Sequence, residues 1–300
     1  MKIKKLLTFM LATSVTTAAF ASHKIDLTTE DGNTAAMRKI LCSMEDNKVS
    51  YYKWQGKAYS RRMGEADKHL FNVEGMSARR CGTVDGGVQG KTYKLVTREI
   101  LLYTDPKTGQ PLEKWQNPFT GEELDVIHVT NDPVNQGPSF PRNKEGKTYP
   151  WKKKFGGSVN GPIWSMMFDV PLFYHNVLAG DYQKQIGGVY HATEMFDFSG
   201  DTNSLVNDEF AHTHVDWVRI SDWLPWMMMT GREGTIYIHA SGTKEADFDD
   251  LQPVMKAYIE KNAPEYKTAP PVSDTRKNET SWSTYKDDVK GEKFKRPRRH

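Results

Sequence analysis

The chain has 300 residues, of which 37% are hydrophobic and 26% charged, and its formal charge at pH 7 is +3. This length suits one large domain or two small ones. The first 21 residues supply three of the positive charges, so the rest of the chain is neutral overall. This charge balance excludes a strongly basic nucleic-acid binder, and we expect no nucleic-acid partner.

The first 21 residues have the pattern of a secretory signal peptide. Three lysines precede an uncharged and mostly apolar run, Leu6–Phe20, which ends in the small-x-small motif Ala19-Phe20-Ala21. A membrane anchor is the alternative, but a span needs ~20 predominantly apolar residues and this run has 15. We expect cleavage before Ser22, export to the periplasm and no membrane span after removal of the signal.

Helical periodicity is scarce after the signal peptide. A short amphipathic helix is predicted after the capping side chains of Thr29–Asp31, and a second helix over Leu172–Ile186. The strongest helical spacing lies in Asp249–Asn262, where Pro253 is compatible with a first turn.

Most other apolar segments alternate with period two and are separated by turn residues, which predicts strands. Two blocks, Asp105–Gly109 and Asn117–Gly121, match turns with Pro in the second position and Gly at the end. The predicted strands are Tyr51–Tyr59, His69–Met76, Tyr93–Tyr103, Leu112–Trp115, Glu123–Thr130, Ile163–Val170, Val189–Phe198, His212–Ile220 and Thr235–Ser241.

We therefore predict a mainly β fold, an antiparallel meander that closes into a barrel with a few short peripheral helices. The chain divides into a signal peptide at 1–21, a single barrel-like domain at 22–262 and an irregular, basic C-terminal tail at 263–300. We expect Pro138–Lys154 to lie over one end of the barrel. Trp282, Tyr285 and Phe294 are predicted to pin the tail to the body.

Cys42 and Cys81 are the two cysteines of the chain. In an oxidising compartment such a pair forms a disulfide more often than it stays free, so we expect a Cys42–Cys81 bridge. Two unrelated buried thiols are the alternative. Neither cysteine lies in a C-x-x-C motif, so redox catalysis has no support.

Aromatic residues are abundant, with 8 Trp, 13 Tyr and 13 Phe. On strands they either fill a small barrel or line a ligand pocket in a larger one. The segment Trp223–Met229 is too apolar for a simple loop, so it either plugs one end of the barrel or forms a pocket wall. Trp217, Trp223 and Trp226 are therefore candidate ligand contacts.

The segment Glu209–Arg219 is the strongest candidate for chemistry. On a strand, His212, His214 and Asp216 share one face because side chains alternate with period two. This cluster can act as an acid–base pair near neutral pH. Alternatively, His212, His214 and Glu209 can ligate a divalent transition metal. Structural hydrogen bonds of the two histidines are the third interpretation.

Four further polar residues are candidate ligand contacts. Arg219 belongs to the same segment, and His191 and Glu194 lie on the preceding predicted strand. His128 lies at a strand end before a turn, where ligands often bind. The chain has no P-loop, dinucleotide fingerprint, G-x-S-x-G or H-E-x-x-H motif, so no organic cofactor is identified.

Four further motifs of the chain are distinctive: Asn117–Glu122, His128–Val134, Val218–Trp226 with Met227 and Gly231, and Tyr237-Ile238-His239. Together they resemble motifs of a bacterial family catalogued as a domain of unknown function, DUF1838. The resemblance spans the chain from about Asn33 to Ile259, and the basic tail departs from it. Because the family has no assigned reaction, the resemblance implies no catalytic residue.

Two functions are consistent with these features. The first is an exported β-barrel protein that binds a small, partly apolar molecule in an aromatic-lined cavity. The alternative is a periplasmic enzyme, an isomerase, lyase or hydrolase, that uses the His212/His214/Asp216 cluster with or without a metal ion. Replacing His212 by alanine would weaken a binder gradually but would cost an enzyme orders of magnitude in turnover.

The signal peptide can be tested on protein recovered from the periplasm. We expect its intact mass to match a chain that begins at Ser22. Replacing Ala19 and Ala21 by leucine should leave the precursor uncleaved, because the peptidase requires small side chains there. The matched control is Ala12→Leu, which changes the apolar run but not the cleavage motif. A wild-type mass that includes the first 21 residues would contradict the prediction.

Overall fold

In the computed structural model, the described residues are 24–85, 91–136, 156–175, 189–229, 231–280, 282–283 and 285–286. Their architecture is mainly β, as predicted. Nine strands form the main sheet: β1 (Val49–Arg61), β2 (Lys68–Asp85), β3 (Lys91–Thr104), β6 (Val129–Gln136), β7 (Gly157–Asn160), β8 (Ile163–His175), β9 (Val189–Asp201), β10 (Thr213–Ser221) and β11 (Thr235–Glu245). A separate small hairpin pairs β4 (Lys114–Gln116) with β5 (Glu123–Asp125).

The main sheet is an antiparallel meander with the strand order β6-β3-β2-β1-β11-β10-β9-β8-β7. Its central pair, β1 and β11, joins the first strand of the chain to the last, with Tyr59 opposite Tyr237. The edge strands β6 and β7 are not hydrogen-bonded to each other within the described residues. The described sheet is therefore open at these two edges.

The two predicted turn blocks are present and use the expected side chains. The Asp105 carboxylate accepts hydrogen bonds from the backbone N–H groups of Lys107 and Thr108, both at 2.8 Å. Gly109 and Gly121 close the two turns with φ of 69° and 72°, the left-handed region that glycine tolerates. Local turn chemistry in the sequence thus determines both turns.

The helices are few and peripheral: α1 (Glu30–Leu41), α2 (Thr202–Asn207) and α3 (Pro253–Asn262). The predicted first helix is confirmed, and the Thr29 hydroxyl caps it by accepting from the N–H of Gly32. The predicted third helix is also confirmed. The helix predicted over Leu172–Ile186 is wrong at its start, because residues 172–175 extend β8; residues 176–188 lie outside the described part.

One face of β1–β3 packs against α3 and the chain after it. Met255 and Ile259 of α3 are fully buried there, and Tyr266 follows them in the same cluster. The strand residues of this cluster are Tyr51, Met76, Ala78, Ile100 and Leu102. Apolar burial of this kind contributes roughly 25 cal/mol per Å². The opposite face of the sheet is therefore left to form a second core.

The C-terminal tail crosses from β6 to the start of β9. The N–H of Glu279 donates to the carbonyl of Pro133 at 3.2 Å, and Asn278 and Asn135 exchange two hydrogen bonds. Trp282 is 1% exposed and packs edge-on against Tyr190. Trp282 and the fully buried Tyr285 therefore pin the tail as predicted, whereas Phe294 and Pro138–Lys154 lie outside the described residues.

The cysteines form the predicted disulfide. Cys42, just after α1, is bonded to Cys81 on β2, with a Cα–Cα distance of 6.0 Å. Both residues are fully buried and pack against Leu95. The bridge holds α1 against the sheet. In the described part of the chain, no helix has the length and apolar character needed to cross a membrane.

The stabilising effect of the disulfide can be measured by urea unfolding. The bridge joins residues 39 positions apart, and the chain-entropy model gives about 4 kcal/mol for a loop of this size. We expect the double variant Cys42→Ala/Cys81→Ala to lose about 2–4 kcal/mol of unfolding free energy. A reducing agent should destabilise the wild type similarly and leave the variant unchanged. Equal stability of the variant and the oxidised wild type would contradict this.

A candidate ligand-binding cavity

The inner face of the sheet surrounds a cavity of 490 Å³. Its walls come from both halves of the meander, from β1, β2, β3 and β6 on one side and from β8, β9, β10 and β11 on the other. The tail residues Asn278–Thr280 complete the lining. Most of the lining is apolar or aromatic, including Trp54, Leu101, Phe168, Phe196, Phe198 and Trp217. A cavity of this size and composition is typical of small-molecule sites.

Arg79, Ser77 and Glu99 form a polar cluster at one wall of the cavity. In the β2–β3 pair, Ser77 lies opposite Glu99 and Arg79 lies opposite Thr97, so Arg79 and Glu99 are diagonal neighbours on one face. The Nε of Arg79 donates to the Ser77 hydroxyl at 3.0 Å, and this hydroxyl donates to the Glu99 carboxylate at 3.2 Å. Arg79 also lies over the ring of Tyr52, 4.3 Å from its centroid. We call Arg79, Ser77 and Glu99 the Arg79 cluster.

Burial raises the pKa of the Glu99 carboxyl above its ordinary value. The negative charge of Glu194 across the cavity acts in the same direction. The positive charge of Arg79 and hydrogen bonds from Ser77 and Thr97 oppose the shift without cancelling it. Glu99 is therefore a carboxyl group that holds its proton to a higher pH than usual.

Glu194 and Arg219 form a second polar pair on another wall. They lie directly opposite each other in the β9–β10 ladder, and the Arg219 Nη1 donates to the Glu194 carboxylate at 2.7 Å. A second nitrogen, Nη2, lies 3.4 Å from the Tyr190 hydroxyl. Both side chains are less than one fifth exposed. The cavity thus has two Arg–Glu sets on different walls.

The structure places the predicted His/Asp cluster outside the cavity. His212, His214 and Asp216 do share one face, but all three are exposed, whereas Val215 and Trp217 between and beside them are buried and line the cavity. These three residues therefore lie outside the lining of this cavity. A period-two pattern shows which side chains share a face of the strand. It does not specify which of the two faces packs against the core.

The predicted metal ligands do not gather into a site. Across the described residues, no three His, Cys, Asp or Glu side chains are grouped so that they could hold a metal ion. Glu209 and His212 precede β10 and His214 lies on it. All three side chains are exposed. The described structure therefore gives a metal centre at these residues no support.

The other candidates divide between the cavity, the core and the surface. Trp217, Glu194 and Arg219 line the cavity. Trp223 and Trp226 are each 2% exposed and belong to the adjacent aromatic core. The three consecutive methionines Met227–Met229 belong to the same core. His191 is on the outer surface, where its Nδ1 lies 3.3 Å from the Asp222 carboxylate. Within the Trp223–Met229 segment, Leu224 lines the cavity, whereas the two tryptophans and the three methionines pack in the core beside it.

His128 lies beside the cavity and not in its lining. Its Nδ1 accepts a hydrogen bond from the N–H of Tyr103 at 3.1 Å, and its ring packs against Tyr103 and Tyr258. Burial lowers the pKa of His128 to about 4, so the imidazole is neutral at physiological pH. These contacts are those of a structural histidine in the protein core.

Arg79 and Glu99 were missed as candidates from the sequence. Glu99 follows Arg98, and opposite charges at adjacent strand positions suggest a structural ion pair, of which one member faces inward. The structure shows that Arg98 pairs instead with Asp132 at 2.9 Å, away from the cavity. The available signal was the presence of a charged residue, Glu99, in a strand whose other inward-facing residues are mostly apolar.

Comparison with known proteins supports one assignment. A protein-family model described as a protein of unknown function (DUF1838) matches residues 47–289, which is most of the chain. This match confirms the resemblance found from the motifs. No curated protein matches the chain significantly.

The protonation of Glu99 can be tested through stability. Because its pKa is higher in the folded protein than in the unfolded chain, its contribution favours folding at low pH and is lost as the pH rises through the folded-state pKa. We expect Glu99→Gln to raise the free energy of unfolding at about pH 8 by about 1–3 kcal/mol, the cost of an incompletely satisfied buried polar group. This gain should fade towards about pH 4, near the unfolded-state pKa.

Urea unfolding at several pH values measures this effect. The matched control is Glu209→Gln, the same change at an exposed carboxylate, which should not alter the pH dependence of stability. A Glu99→Gln variant that is less stable than the wild type at about pH 8 would contradict the prediction.

Proposed function

Because the chain belongs to the DUF1838 family, whose description names no activity, we propose from its cavity that the protein binds a small, partly apolar molecule. The observation that carries the proposal is a 490 Å³ cavity whose apolar lining is interrupted by two Arg–Glu sets. A cavity of this volume leaves room for a compact organic ligand.

The apolar part of the ligand contacts the aromatic wall. Trp54 and Trp217 meet edge-on with ring centroids 6.3 Å apart, and Phe196 stacks on Trp217 at 6.5 Å. A Cβ atom at Gly75 would lie 2.0 Å from the indole of Trp54, so glycine at this position allows the ring to lie against β2. Such rings offer large apolar contact area at fixed positions.

The polar part of the ligand contacts the Arg–Glu sets and not the His212/His214/Asp216 cluster. Arg79 and Glu99 lie on β2 and β3, and Glu194 and Arg219 on β9 and β10. Polar groups of this kind fix the orientation of a bound molecule within an otherwise apolar pocket. The outward direction of the histidine cluster favours a binding protein over an enzyme that uses that cluster.

The sheet curls around this ligand in a barrel-like manner. Val129 and Asn131 on β6 and Phe168 and Val170 on β8 line the same cavity, although these strands are near opposite edges of the sheet. The tail supports this closure, because Glu279 bonds to β6 and Trp282 packs on Tyr190 of β9. Curling of this kind can enclose a ligand even though the edge strands, as far as the structure describes them, share no hydrogen bond.

The protein performs this function in the periplasm after removal of its signal peptide. The apolar run at the N-terminus and the Ala19-Phe20-Ala21 motif support export. The disulfide between Cys42 and Cys81 supports it independently, since disulfides persist mainly in oxidising compartments.

A bulky substitution at the cavity wall tests the binding function. Val170 lines the cavity and is 37% exposed, so Val170→Trp should fill part of the cavity without disturbing the core. We expect this variant to bind the neutral fluorescent probe N-phenyl-1-naphthylamine at least about tenfold more weakly, equivalent to ~1.4 kcal/mol. The measurement is a fluorescence titration.

The matched control is Met167→Trp on the outer face of the same strand, where the side chain is 74% exposed. This variant should bind the probe like the wild type. Equal affinity of both variants, or no binding by the wild type, would contradict the proposal for a ligand of this size and polarity.

A further inference from the structure

Arg79 retains hydrogen-bonding capacity that faces the cavity. Its Nε is used by Ser77, and within the described part of the chain no hydrogen bond or ion pair engages its two Nη atoms. The Tyr52 ring holds the guanidinium by a cation–π contact. A partly buried guanidinium with unused donors is well suited to bind an anionic or acceptor group of a ligand.

The other charged groups that line the cavity already have partners. Arg219 is paired with Glu194 at 2.7 Å. The carboxylate of Glu279, in the tail, accepts from the Ser283 hydroxyl at 2.9 Å. Lys244 interacts electrostatically with Arg79 but is not part of the cavity lining. Its ammonium group donates to the carbonyls of Lys39 and Cys42. Arg79 is therefore the described cation best placed to meet a ligand.

We propose that the cavity binds an apolar monocarboxylic acid as its anion, with the carboxylate on the Nη atoms of Arg79 and with Glu99 protonated in the complex. The proposal rests on the proposed function of the cavity, because it names the class of ligand. The proton comes from solvent and ends on a carboxyl oxygen of Glu99. Where Glu99 is ionised before binding, the ligand adds one negative charge and the proton removes one, so the net charge of the cavity is unchanged.

The charged residues of the cavity walls favour a monocarboxylate ligand over a phosphate, an ammonium group or a neutral molecule. The planar guanidinium matches the two oxygens of a carboxylate. A phosphate dianion would bring more negative charge near Glu194 and Glu279, while an ammonium group would be repelled by Arg79. A neutral ligand would leave Arg79 without an anion when Glu99 is protonated.

Glu99 is the group that responds to the bound anion. The charged residues that line the cavity with it are its neighbour Arg79 on β2, Glu194 on β9, Arg219 on β10 and Glu279 in the tail. Burial and Glu194 already raise its pKa, and a carboxylate on Arg79 would raise it further through like-charge repulsion. By linkage, the affinity for the anion falls as the pH rises above the pKa of Glu99.

The charge requirement is tested with decanoate and decanol, which share an alkyl chain and differ in the head group. Calorimetry or displacement of N-phenyl-1-naphthylamine gives both affinities at about pH 6. We expect decanoate to bind at least about tenfold more tightly, and Arg79→Gln to weaken decanoate by about 10- to 100-fold while decanol changes less than about threefold. Decanol binding also reports that the variant is folded.

The matched control is Arg80→Gln, the same charge change at the adjacent residue on the other face of β2, where Arg80 bonds to Thr268. It should leave both affinities unchanged. Equal binding of decanoate and decanol, or equal weakening by both variants, overturns the inference but leaves the binding function standing. Failure of both ligands and of the neutral probe overturns the binding function and this inference with it.

Proton uptake is tested by calorimetry at about pH 7 in phosphate and Tris, whose ionisation enthalpies differ. The difference in heat gives the number of protons taken up per decanoate, which we expect to lie between zero and one and to be absent for decanol. Glu99→Gln should abolish the uptake and keep decanoate binding nearly constant between about pH 6 and pH 8. Wild-type binding of decanoate with no uptake across this range overturns the role of Glu99.

Discussion

The pairing of β1 with β11 holds the two halves of the molecule in one sheet. The ladder runs from Tyr51 opposite Glu245 to Arg61 opposite Thr235 and joins the first and last strands of the chain in the middle of the sheet. Added Cβ atoms at Gly56 and Gly242 would lie 2.1 and 1.9 Å from backbone oxygens of the partner strand, so this approach requires glycine. Without this ladder the Arg79 cluster and the Glu194–Arg219 pair would not face one cavity.

The cavity combines apolar walls with charges that are costly to bury. An ion in a low-dielectric site is retained only when a partner compensates its lost hydration. Arg219 and Glu194 satisfy this condition by direct pairing, whereas Arg79 and Glu99 are connected through the Ser77 hydroxyl. The second arrangement leaves donors for a ligand and a carboxyl that can change its protonation. This difference gives the two walls different chemical roles.

Elements with local causes could be predicted from the sequence. Turn side chains such as Asp105, a capping residue such as Thr29 and the helical spacing before Asn262 act within a few residues, so their pattern is sufficient. The disulfide followed from the presence of two cysteines in a chain that we expected to be exported. The helix expected over Leu172–Ile186 failed at its start, because a short apolar run does not distinguish the end of a long strand from a helix.

The sequence by itself predicted a signal peptide, and it determined a mainly β chain of a family without assigned activity in which His212, His214 and Asp216 share one face. Only the tertiary structure decided that this face is the exposed one. Alternation fixes relative side-chain directions, but the neighbouring strands and the packed core fix which direction is inward. For the same reason, the meeting of Arg79 with Glu99 depended on the β2–β3 register, which distant residues set together.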